Sequence, residues 1–93
     1  MIRLERQMRA RWGRWFRYFR DRYHDQGRTD MQFAHDLGLT HGAVSNMLSR
    51  KRDVGFNAIM KVRCLFGRVA TDLTLDRLTF TDPPKNPDPE RRP

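Results

Sequence analysis

Between Thr29 and Ser49 the chain carries two helix starts and one helix stop, in an order that leaves it little conformational choice. Thr29-Asp30-Met31-Gln32 has the form of a capping box. The threonine hydroxyl can accept from the amide three residues on, while the glutamine side chain reaches back. A helix is expected from Asp30 to about Leu37, with Phe33, Ala34 and Leu37 facing inward. Gly38 then breaks it where the backbone needs positive φ. Leu39 follows as a turn residue able to plug the gap between two helices. Thr40 can cap a second helix, His41 to Ser49, with Val44, Met47 and Leu48 inward. Ala34 is small where two helices crossing at about 90–120° come closest.

The segment before this pair reads as one amphipathic helix over residues 3 to 25. Met8, Trp12, Trp15, Phe16, Phe19 and Tyr23 recur at spacings of three and four and form one stripe. Arg3, Arg6, Arg14 and Arg17 fall on the opposite side. Gly13 weakens the run and Gly27 ends it. Such a helix can face a protein core, lie on a membrane surface or fold on RNA, and amphipathic stripes most often mark core-facing helices.

Ninety-three residues make one domain, and a core of this size is marginally stable, so self-association would help. The net charge is +8, and arginine supplies 16 of the 19 basic residues. A chain this basic calls for an anionic partner: duplex DNA, RNA or a membrane surface. The arginine fork favours bidentate contacts to phosphate and guanine.

With its apolar residues turned inward, the second helix presents His41, Gly42, Ser45, Asn46 and Ser49 outward. These are short groups, so the helix can enter deep into the ~12 Å major groove of DNA. With Thr40 at its start they form the candidate base-reading set. Arg50, Lys51 and Arg52 follow directly, where a backbone phosphate would lie. Thr29 and Gln32 are further phosphate candidates.

Thr29, Phe33-Ala34, Leu37-Gly38-Leu39-Thr40 and Val44-Ser45 together resemble the phage repressor and Cro-like helix-turn-helix family, the lambda-repressor-like type. The likeness runs on through Gly55-Phe56 to Phe66-Gly67, which is similar to the family's next core helix, and covers roughly residues 12 to 80. It implies an all-α bundle of about five short helices and a recognition helix at 41–49. It also implies a homodimer on a palindromic operator in double-stranded DNA, usually a repressor of transcription and often of phage or mobile-element origin. Three departures stand out. Asp30 takes the place of a common phosphate-binding glutamine and would repel phosphate. Leu48 and Val54 stand near positions where the family often carries a glutamate and a proline. The arginine-rich stretch before residue 11 exceeds the usual first helix; it could be an arm carrying Arg3, Arg6 and Arg9 that wraps the duplex, or only a solvated extension.

Three parts are expected: an arginine-rich extension over 1–10, the DNA-binding domain over 11–80 and a proline-rich tail over 81–93. The tail holds all five prolines and no large apolar residue from Asp82 on, so it is expected to be disordered. Around residues 71–80 a short helix capped by Thr74 is favoured, the alternative being strands Leu73–Leu75 and Leu78–Phe80 of a dimer-forming hairpin.

Catalytic chemistry finds no support. His24, His35 and His41 have no metal-ligand spacing with Cys64, the one cysteine, which is expected to be a buried inert thiol. His35 is expected to be exposed. No phosphate loop or paired nucleophile and base is visible, so no enzyme, cofactor or small-molecule substrate is expected. With no apolar run near ~20 residues and no signal-peptide core, the expectation is a cytoplasmic protein with no membrane partner. Two other functions compete: a nucleic-acid-associated protein with little sequence preference, and an antitoxin-like protein-interaction module.

Overall fold

Five helices follow one another in the order α1 (Ile2–Asp25), α2 (Asp30–Leu37), α3 (His41–Leu48), α4 (Phe56–Phe66) and α5 (Leu75–Phe80). They are seen in a computed structural model that describes residues 2–67 and 73–84. There is no strand among the described residues, so the fold is the expected all-α bundle, and the strand alternative near residue 75 gives way to a helix.

The aromatic stripe of α1 is the spine of the core. Trp12, Trp15, Phe16, Phe19 and Tyr23 are all buried, and Met8 is half-buried at the edge. Burying one such ring contributes about 1.5–3 kcal/mol relative to leaving it in water. Phe33 of α2 meets Phe16 and Tyr23 edge-on at 5.2 and 5.1 Å between ring centroids. Phe66, at the end of α4, stacks on Phe19 at 4.2 Å. Ala58, Ile59 and Val62 line the inner face of α4. Val54, in the loop before α4, is also buried.

α5 is short and cannot stand alone. Thr74 caps it by accepting from the Arg77 amide at 3.1 Å. It is tied to α1 by two indoles: Trp12 donates to the Thr79 hydroxyl at 3.1 Å, and Trp15 donates to the Thr81 carbonyl at 2.6 Å. Asp82, which composition alone places in the tail, belongs to the folded unit. Its carboxylate accepts from Arg14 at 2.8 and 3.0 Å, with Arg11 at 3.4 Å. The Arg14 hydrogen bonds hold its carboxyl below the usual carboxylate range. The proline-rich residues 85–93 lie outside the described residues.

Two expectations need correction. Cys64 is exposed. It lies two positions beyond buried Val62, about 200° around α4, and so points away from the core. Leu48 is only half-buried, because α3 ends there and Ser49 caps the helix instead of continuing it.

Candidate nucleic-acid interface

The turn between α2 and α3 fixes how the second helix is presented. The capping box at its start is complete: the Thr29 hydroxyl accepts from the Gln32 amide at 3.2 Å, and the Gln32 side-chain oxygen accepts from the Thr29 amide at 3.0 Å. Gly38 closes α2 in the left-handed region, φ 74°. The Leu39 amide reaches back to the Ala34 carbonyl at 2.9 Å and the Gly38 amide to that of His35 at 3.0 Å, a Schellman arrangement. Leu39 is half-buried against the core, Ala34 fully buried, and Thr40 caps α3 by accepting from the Ala43 amide at 3.1 Å. Two capped helices are thus joined by a tight turn.

On α3, Val44 and Met47 are buried while His41, Gly42, Ser45 and Asn46 are exposed. None of the His41, Ser45 or Asn46 side chains makes a hydrogen bond or ion pair among the described residues. Ser49 is exposed at the cap, where its hydroxyl donates to the Asn46 carbonyl at 3.3 Å. Gly42 has an open surface: a Cβ there would meet nothing within 4 Å. No internal packing therefore calls for a glycine at that position.

The candidate phosphate contacts divide by their present engagements. Thr29 and Gln32 have their acceptors occupied in the capping box, which leaves the threonine O–H and the glutamine NH2 as donors at the start of α2. Asp30 faces back toward α1, with its oxygens 2.6 Å from His24 Nε2 and 4.0 Å from Arg20, so its charge is partly neutralised. His35 is exposed, as expected.

The end of α3 repeats the backbone geometry seen at two other helix ends, with one difference. Arg28 bonds back to Tyr23 past Gly27 at φ 78°, and Leu39 bonds back to Ala34 past Gly38. Lys51 bonds back to Asn46 at 3.0 Å, but the left-handed residue between is Arg50, φ 65°. A non-glycine residue in this region costs roughly 1–2 kcal/mol. The chain carries that cost at the one Schellman end adjoining α3's exposed face.

Arg50 and Arg52 also line a groove of about 540 Å³ with Arg6, Arg9, Arg14 and Arg17 of α1; Asp53 is its one acidic lining residue. Helical periodicity places Arg14 and Arg17 only on the solvent side of α1. Their recurrence with Arg6 at helical spacing is the sequence signal that they belong with the cationic surface. The side chain of Arg3, expected in the same arm, lies outside the described residues. Lys51 is exposed and does not line the groove.

No family model matches the chain, and no curated protein or solved structure matches it either. Among the described residues, no three His, Cys, Asp or Glu side chains form a group able to hold a metal ion. No helix among them is long and apolar enough to cross a membrane.

Proposed function

We propose that the chain is a sequence-specific double-stranded DNA-binding protein that regulates transcription by occluding its site, with α3 as the recognition helix. The observation that carries this reading is the uncommitted outer face of α3. His41, Ser45 and Asn46 are exposed on a helix that follows a capped turn, and their side-chain hydrogen-bonding groups are unspent among the described residues. Asparagine can pair with both the donor and the acceptor edge of adenine, so Asn46 is the leading base reader. Thr40, Gly42 and Ser49 border it, while Arg50, Lys51 and Arg52 supply the phosphate contacts that set register.

A homodimer fits this reading. One recognition helix touches few base pairs, and two-fold symmetry doubles them at half-sites about 10–10.5 bp apart. Phe56 and Phe80 are 55% and 60% exposed, apolar surface that a second copy could cover.

Selection of bound duplexes from a random library tests the proposal. A palindromic motif is expected, and Asn46→Ala should then lose about 1–3 kcal/mol on that motif alone. Binding without any enriched motif would replace this reading with a nonspecific nucleic-acid binder. Failure to bind duplexes, with a second protein co-purifying, would favour an interaction module.

A further inference from the structure

The groove between α1 and the end of α3 concentrates positive charge. Six arginines line it with one aspartate, Asp53, which stands 3.8 Å from Arg9, while Arg14 is paired outside the lining with Asp82 at 2.8 Å. Arg17 is half-buried, and no carboxylate among the described residues comes within ion-pair distance of it. Burial, then the neighbouring charges of Arg50, Arg14 and Arg20, pull its guanidinium below the usual arginine range. Gly13 lies beside this side chain: a Cβ there would come 3.3 Å from Arg17 Nη1, and the guanidinium would have to give by a few tenths of an ångström. A helix-interior glycine costs roughly 1 kcal/mol relative to alanine. Two locally unfavourable residues, Gly13 and left-handed Arg50, thus border one groove crowded with like charges. Such crowding is relieved when an anion enters.

We infer that this groove seats the sugar–phosphate backbone of duplex DNA, which makes α1 part of the interface as a fixed wall. The inference rests on the reading of α3 as the helix that meets DNA. The shape of the charge selects an extended anion over a compact one. Arg6 and Arg17 are eleven residues apart on α1, which spans ~16 Å of helix. A small polyphosphate would engage one end of such a stripe. A strand of DNA carries one phosphate per ~3.4 Å of helix axis and can follow its whole length. The stripe is also continuous with Arg50 and Arg52, which lead directly from the end of α3. A strand leaving the recognition helix would therefore meet the groove.

The test compares salt dependence of duplex binding in three proteins: wild type, Arg6→Gln/Arg17→Gln, and a control with the same loss of charge, Arg22→Gln/Lys61→Gln. Circular dichroism melting checks folding. Because Arg17 is half-buried, Arg6→Gln/Arg9→Gln, at two exposed positions of α1, serves as a second groove variant. Removing one phosphate partner should lower the slope of log K against log salt by about 0.9, so the groove variants should fall by about 1.8 and the control should not fall at all. The base preference found by selection should survive in all of them. An unchanged slope in the folded groove variants, or an equal drop in the control, overturns the inference and leaves the reading of α3 standing. A slope loss confined to the groove variants, in a protein without base preference, supports the groove and sinks the sequence-specific reading. No duplex binding by wild type sinks both. Tripolyphosphate displacing DNA far better than sulfate at equal ionic strength would assign the groove to a compact anion and overturn the inference.

Discussion

Trp12 and Thr79 are sixty-seven residues apart in sequence, yet the indole N–H of one donates to the buried hydroxyl of the other at 3.1 Å. This bond joins the helix that opens the domain to the helix that closes it. Thr79→Val keeps the shape and removes the acceptor, so a buried N–H is left without a partner. A loss of about 1–3 kcal/mol is expected in urea unfolding. A change below a few tenths would show that the indole finds another partner and that the α1–α5 contact rests on packing alone.

At Gly42 and Arg50, stability and binding should move in opposite directions. Gly42→Ala adds a methyl into open space and removes a poor helix former, which should stabilise the fold by roughly 0.5–1 kcal/mol. Arg50→Gly relieves the left-handed strain and should also stabilise, by up to about 1–2 kcal/mol. Both should weaken DNA binding, the first by obstructing close approach and the second by lowering the salt slope by about one. Thermal melts and binding curves on the same samples check this. Variants that gain stability at no cost in affinity would remove these two positions from the interface.

Tyr23 provides a pH prediction. Burial, then the 2.6 Å hydrogen bond to the Asp36 carboxylate, raises its phenol above the ordinary value of 10.0. The folded state prefers the protonated form. Its contribution is therefore complete below pH 10.0 and is lost as pH rises through the higher folded value. In a Tyr18→Phe background, where Tyr23 alone reports, phenolate absorbance of the native protein should have its midpoint above 10.0. A native midpoint at or below that value would contradict the buried phenol.

Cys64 should react with a thiol reagent in the folded protein about as fast as in denaturant, because its side chain is exposed on α4. Labelling should leave the fold intact, as judged by circular dichroism. Protection until unfolding would return Cys64 to the core.

Local signals made α2, the turn after it and α3 legible. Thr29 with Gln32, Gly38 and Thr40 each report on a few neighbouring residues and each caps a helix end as its chemistry suggested, while the small Ala34 is buried as expected. The aromatic stripe of α1 was equally plain, because one helical period sorts it. What escaped depended on distant partners or on averages. Cysteines are usually buried, and that average hid the exposure of Cys64. Periodicity from Val62 would have placed it outside. Asp82 looked like part of a proline-rich tail, and its tie to Arg14 spans sixty-eight positions. Gly13 looked like a flaw in a helix because its place on the groove, beside Arg17 and near the charge of Arg50, depends on the end of another helix.

The outer face of α3 is uncoupled from everything beneath it. His41, Gly42, Ser45 and Asn46 can be exchanged for other residues without disturbing Val44, Met47 or the turn that sets the helix, since no hydrogen bond or ion pair among the described residues ties their side chains inward. Duplicated copies of such a chain could therefore drift apart in target while sharing one scaffold. On the proposed reading, a few substitutions in one exposed turn would suffice to give a descendant a new address, with little penalty to folding along the way.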